Sequence, residues 1–287
     1  MEEQVVTVNY KELPLSDDFM FGEVMRRPHI CKLFLEALLE KPIARIEYIT
    51  KQQDISESVS SHGIRLDVYL KDDRNTVYSI EMQTTVGTIL FKRVRYYQSA
   101  IDRYNLQKGE HYSKLPESFI IMVCTADLFG RGLALYRRKF MMEDCPDVEY
   151  DDGSHLYILN TAYTTANVRE PILEFLRCIQ SNDIAPAEYH SQLMKEICPA
   201  IAEIRSDSGK EAEYMTWQTK LMDAEFIAEQ RGLEKGVKQG MEQGIQALVC
   251  SLKGLYIDRE TIVRQIAEQY KLPMQTAVSK VDQYWVR

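Results

Sequence analysis

The sequence predicts an α/β or α+β core followed by a helical C-terminal region. Three observations carry that expectation. Short apolar or alternating runs, at Ile43–Lys51, Ile64–Leu70, Val77–Gln83, Phe119–Cys124 and Leu156–Asn160, read as strands. Helical spacing of apolar residues precedes and separates them. After Ala162 the strand signals stop, and helix signals with prolines near first turns take over.

Taken in order, Ser16 is placed to cap a helix running from Asp17 to about Glu40, with acids in its first turn. Phe19, Phe21, Val24, Leu33, Phe34, Leu38 and Leu39 are its apolar positions, and Pro28 should break or kink it. Ile43–Lys51 follows as a strand. Ile64–Leu70 and Val77–Gln83 then form a hairpin across Lys71-Asp-Asp-Arg-Asn-Thr76, a segment rich in turn formers. A helix from about Thr88 to Asn105 carries Val94, Tyr97, Ile101 and Tyr104 on one stripe. Two further strands complete the core. Helices are expected at 171–181 and 186–205, and Ser206–Gly209 reads as a hinge. A long charged helix is expected to reach about Leu255, and a helical pair at 258–270 and 274–285 closes the chain. This gives a core over residues 1–165, helices packing on it over 166–205, and a helical region over 206–287.

In the long helix Gly232, Gly236, Gly240 and Gly244 recur every fourth residue, on one helical face. Each interior glycine costs about 1 kcal/mol relative to alanine. The segment therefore either lies against a close neighbour, such as another copy of the chain, or is flexible. Two of the three residues in each interval are charged or amide, which excludes a membrane glycine motif.

Composition narrows the function. No run approaches the ~20 apolar residues of a membrane span, and the N-terminus lacks a basic region followed by an apolar stretch. Six scattered cysteines form no C-x-x-C pair, so zinc and redox motifs are unsupported and a reducing, cytoplasmic location is expected. The five histidines have no metal-ligand spacing, and no glycine-rich phosphate loop occurs. A net charge of −8 counts against a surface that grips nucleic acid everywhere, but permits a local basic stripe.

The hairpin is where chemistry concentrates. Side chains alternate along a strand. Ile64, Leu66, Val68 and Leu70 share one face, and Asp67 projects from the other with Arg65 and Tyr69. Glu81 and Gln83 share a face of the second strand. The turn brings Asp67 close to Glu81. Two acids and a polar group on one face of adjacent strands suit a divalent cation such as Mg²⁺. The stripe Lys92-Arg-Val-Arg-Tyr-Tyr97 follows, with Arg93 and Tyr97 on one helical face. Alternation alone favours the plainer reading, in which Asp67 and Glu81 are exposed strand residues paired with Arg65 and Arg93.

Arg65-Leu-Asp67-Val68, Glu81-Met-Gln83, the basic-aromatic helix, the opening Leu13–Phe21 and the late glycine run occur here in one order. In that order they resemble the PD-(D/E)XK nuclease family transposases, the recombination-promoting branch of the restriction-endonuclease-like superfamily. The resemblance implies a central mixed sheet flanked by helices and a Mg²⁺- or Mn²⁺-dependent DNA endonuclease linked to recombination or mobile elements. It implies Asp67 and Glu81 as metal ligands, joined by the Met82 carbonyl and a first-helix acid, Asp18 or Glu23. Asp18 has an equally good structural role at a helix start. Gln83 stands where the wider superfamily has lysine, as is usual in this branch, and would orient water. Arg93 would supply charge, and Tyr97, Lys92 and Arg65 would contact substrate. The competing expectation is a catalytically weak or inactive nuclease-fold protein that binds DNA or assembles through its C-terminal helices into a homo-oligomer.

Overall fold

The computed structural model describes residues 9–48, 53–55, 64–85, 87, 89–182, 184, 187 and 189–285. The chain divides into two compact units, Met1–Ala212 and Glu213–Arg287.

The first unit opens with α1 (Asp18–Met25) and α2 (Pro28–Leu39). The single helix expected from Asp17 to Glu40 is thus two. Pro28 sits at the first position of α2, where its missing N–H costs nothing, and Arg27 before it is extended. The cap of α1 is Asp17, not Ser16; its Oδ1 accepts from Phe19 N at 2.9 Å and Met20 N at 3.3 Å.

Six strands form the main sheet. They are β1 (Ile46–Tyr48), β4 (Val68–Asp72), β5 (Val77–Gln83), β6 (Ser118–Cys124), β10 (Ser154–Asn160) and β7 (Leu135–Arg137), in that spatial order. β5, β6 and β10 run parallel, while the β1–β4, β4–β5 and β10–β7 pairings are antiparallel, so the sheet is mixed. The parallel pair β5–β6 is joined by α3 (Ile89–Asn105), as such a connection requires. Two small hairpins stand apart: β2 (Gln53–Ile55) with β3 (Ile64–Leu66), and β8 (Phe140–Met142) with β9 (Cys145–Tyr150).

The strand expected from Ile64 to Leu70 is interrupted. It ends at Leu66 as β3, bends at Asp67, and resumes as β4 with different partners. β4 and β5 do form the expected hairpin, with Val68 opposite Ile80 and Tyr69 opposite Ser79. Asp72 fixes its turn. The carboxylate is buried and accepts from Thr76 N (2.8 Å), Arg74 N (2.9 Å) and Tyr78 Oη (2.9 Å). Asn75 takes the left-handed conformation that the turn needs (φ 65°), which asparagine tolerates better than most residues.

Every residue of β5 and β6 is buried, on both faces. On one face Tyr69, Val77, Ile120, Met122, Cys124, Leu156 and Ile158 pack against Leu90, Val94 and Ile101 of α3. Asn105, at the end of α3, donates to Tyr69 Oη at 2.8 Å and locks the helix to the sheet. The opposite face presents Val68, Leu70, Ile80, Met82, Ile121, Val123 and Leu159, equally buried. α1 and α2 pack with α4 (Glu170–Ser181) and α5 (Gln192–Ser206), and α2 also meets β1. α5 begins at Gln192 under a Ser191 cap, later than the expected start at Pro186, which lies outside the described residues.

α6 (Ser208–Gly254) is a continuous helix through all four spaced glycines. Its last turns build the second unit's core with α7 (Arg259–Gln269) and α8 (Met274–Trp285). There Ile245, Val249, Ile262, Val263, Ile266, Ala277 and Val281 are buried together. Among the described residues no helix is long and apolar enough to cross a membrane.

Candidate active site

The site lies where the bend at Asp67 meets the last residues of β5. Alternation puts Ser79, Glu81 and Gln83 on one face of β5, and that face is the one α3 covers. All three are buried, and Glu81 is only 2% exposed.

Asp67 and Glu81 are tied through the backbone N–H groups of Asp67 and Met82. The Asp67 N–H donates to Glu81 Oε1 at 3.3 Å, and the Met82 N–H donates to Asp67 Oδ2 at 3.1 Å. Ser79 Oγ adds a second bond to Glu81 Oε1 at 2.9 Å. Burial pushes the Glu81 carboxyl well above the usual range, and the neighbouring charge of Asp67 pushes it further. The bonds from Ser79 and Asp67 and the charge of Arg93 act against that rise without cancelling it.

Gln83 bridges sheet and helix. Its Nε2 donates to the Met82 carbonyl at 2.6 Å, and its Oε1 accepts from Arg93 Nη2 at 2.6 Å. Arg93 lies over the Tyr97 ring, 5.6 Å from its centroid. Its Nε is buried and has no acceptor among the described residues. Burial raises the Tyr97 hydroxyl, and the charge of Glu81 raises it further. At the end of the strand Thr125 ties β6 to β5, donating from N to the Gln83 carbonyl at 3.1 Å and from Oγ1 to the Thr84 carbonyl at 3.1 Å. Cys124, opposite Gln83 in the sheet, is an inert member of this wall; burial pushes its thiol up to about 12.

The structure thus brings together Asp67, Glu81, Met82, Gln83, Arg93 and Tyr97. Lys92 is exposed on α3. The backbone of Arg65 lies in β3 opposite Asp54, and its side chain is outside the described residues. Asp18 opens α1 and Glu23 is engaged by Arg26 and Lys210, at 3.1 and 3.0 Å. Among the described residues, no three or more His, Cys, Asp or Glu side chains are gathered as a metal cluster. Asp67 and Glu81 stand as a pair. Sequence reasoning missed Ser79 and Thr125. Ser79 was legible, since it alternates with Glu81 and Gln83; Thr125 acts through the end-to-end register of β5 and β6, which no local pattern encodes.

A mixed sheet with paired acids at its centre, under a helix that supplies an arginine, has the architecture of the restriction-endonuclease-like class. The chain belongs to the PD-(D/E)XK nuclease family transposases, whose family model matches residues 18–230. No curated protein and no solved structure matches it.

Proposed function

We propose that the protein is a divalent-metal-dependent DNA endonuclease. The observation that carries this reading is the Asp67–Glu81 pair. Two carboxylates adjoin, one of them raised by burial and then by the charge of the other, and Arg93 is the cation that the described residues place beside them. A divalent ion is the group that would relieve that repulsion. The donor set also fits: Asp67, Glu81 and the Met82 carbonyl offer hard oxygens, and too few of them to displace all the waters of Mg²⁺. Bound there, the ion would supply a Lewis acid that offsets charge on a phosphodiester.

The chain's own residues take the remaining roles. Gln83 is held between the Met82 carbonyl and Arg93, so its amide is oriented and suited to placing a water. It carries no charge where the wider superfamily has lysine, and Arg93 answers that deficit from α3. The buried Arg93 Nε lacks an acceptor among the described residues, which suits an incoming phosphate oxygen. Tyr97 stacks under the guanidinium and restricts its motion. Lys92, on the exposed side of α3, would meet the phosphate backbone from outside, and Arg65 is proposed to join it from β3.

The test is cleavage of supercoiled plasmid with Mg²⁺, with Mn²⁺ and with EDTA, beside Asp67→Ala and Glu81→Ala. Metal-dependent nicking abolished by either substitution supports the assignment. Well-folded protein that does not cleave, or cleavage surviving both substitutions, would overturn it. One observation favours a second reading, a nuclease-fold protein that binds DNA without cutting: the acids are two, with no third gathered among the described residues. DNA binding in EDTA without cleavage in metal is the outcome that would select it.

A further inference from the structure

From residue 219 to residue 240, α6 is exposed on every side. A stretch of that kind lacks the packing that stabilises most helices in proteins. It also contains Gly232, Gly236 and Gly240, each costing about 1 kcal/mol in a helix interior. A Cβ added at any of these three would meet open space, so nothing in this chain's own packing asks for glycine there. Gly244 differs, because Tyr270 closes over it.

The exposed stretch is nonetheless patterned. Met215, Met222, Phe226, Leu233 and Val237 follow one another in alternating steps of seven and four residues. An 11-residue period advances about 3.67 residues per turn, close to the α-helical 3.6, so these side chains stay in line along the helix. Phe226, Leu233 and Val237 are each 62% exposed. A straight apolar seam on a bare helix implies a second helix laid along it.

Charge identifies that helix. Residues 219–229 hold Asp223, Glu225 and Glu229 against Lys220 alone. Residues 230–240 hold Arg231, Lys235 and Lys238 against Glu234 alone. The sign of the helix reverses between Glu229 and Gln230. The inner four residues of the seam are symmetric about the same point: Phe226 and Leu233 are equidistant from it, as are Met222 and Val237. A second copy of α6 laid antiparallel about that point sets each net-acidic block on a net-basic one, Glu225 opposite Glu234 excepted, and pairs Phe226 with Leu233 and Met222 with Val237. A parallel copy would set like blocks together.

We infer that α6 is an antiparallel self-association helix, centred between Glu229 and Gln230, whose partner is a second copy of this chain. Apolar contact supplies the affinity, and the block charges fix the direction.

The experiment is light scattering on the full chain at low and high salt, with far-UV circular dichroism to verify folding. Wild type is expected to be dimeric, and Phe226→Glu combined with Leu233→Glu monomeric. Glu225→Lys with Glu229→Lys should weaken dimerisation at low salt by ~10-fold or more. Adding Arg231→Glu and Lys235→Glu to that variant should restore it, a rescue that a folding defect would not give. Orientation is read in a Cys145→Ser, Cys250→Ser background. Protein with Met222→Cys mixed with protein carrying Val237→Cys should form a mixed disulfide, and Met222→Cys alone should not join to itself. A monomeric wild type overturns the inference, leaving the seam to a different protein. So does a dimer indifferent to these substitutions, or one that links residue 222 to residue 222. None of these readouts depends on nuclease activity.

Discussion

Replacing Asp72 by alanine should destabilise the first unit far more than a turn residue ordinarily can. The reason lies in its three partners. Thr76 N and Tyr78 Oη are both buried, and each donates to the carboxylate at 2.9 Å or less; Arg74 N is at an exposed residue and would regain water. Leaving a buried donor unpaired costs about 1–3 kcal/mol. Two such donors give about 3–5 kcal/mol. At roughly 2–4 °C per kcal/mol for a domain of this size, the melting temperature should fall by about 10 °C. Asp72→Asn keeps an acceptor for Thr76 and should cost about 1 kcal/mol. Tyr78→Phe, combined with Asp72→Ala, should show a coupling of about 1–2 kcal/mol. Scanning calorimetry measures the loss. The chain's two tryptophans, Trp217 and Trp285, both lie in the second unit, so their fluorescence should report a transition that does not move. An Asp72→Ala variant within about 0.5 kcal/mol of wild type would refute the reasoning, and with it the claim that this carboxylate holds the β4–β5 register beneath Asp67 and Glu81.

Three further outcomes follow from the same geometry. Glu81→Gln keeps the oxygen that accepts from Ser79 and Asp67 but removes the charge, so in EDTA near pH 8 it should melt a few degrees above wild type while losing all cleavage; a lower melting point would contradict the charge argument. Gln83→Lys, which restores the wider superfamily's residue, should reduce activity and stability, because the new ammonium would sit where Gln83 Oε1 now accepts from Arg93 at 2.6 Å; a gain in rate would show that Arg93 does not occupy the lysine's role. Glu174 is buried and accepts from His190 N at 2.7 Å and Ser191 N at 2.9 Å. Burial alone would raise its carboxyl, but those bonds outweigh burial and hold it below the ordinary glutamate value of 4.5. Its stabilisation is therefore full above that pH and is lost as pH falls through the depressed value. Glu174→Gln should cost about 2–4 kcal/mol at pH 7 in urea denaturation, with the gap closing below pH 4.5, and a gap independent of pH would refute the assignment.

Much of this arrangement was legible in the sequence, and the failures have one physical origin. Alternation tells which side chains share a face but not whether that face is covered. It set Glu81 and Gln83 together correctly, yet left open an exposed pair neutralised by surface arginines. Burial was decided by α3, whose stripe of Leu90, Val94 and Ile101 closes over the sheet. The same closure turned Arg93 from a candidate surface partner into a donor to Gln83. The hairpin, its turn and the long helix needed only local signals and were readable. β7, β8 and β9 were not: they are short strands in exposed or half-exposed sequence, where period-2 alternation has little burial to record.

Asp67 shows why the break in its strand matters. Residues 64–70 have one continuous β pattern, and the sequence alone extends it through Asp67. In the fold, β3 pairs with β2 and β4 pairs with β1 and β5, so the chain changes partners at that residue. A residue at such a change leaves the regular ladder, and its groups become available for other bonds. The Asp67 N–H goes to a side chain, Glu81 Oε1, and its carboxylate takes the Met82 N–H. An acid inside an unbroken strand would have its N–H committed to a neighbouring carbonyl. The bend is therefore what lets the two carboxylates be held side by side through the N–H groups of Asp67 and Met82, and the proposed cation would relieve a repulsion that the sheet has already fixed in place.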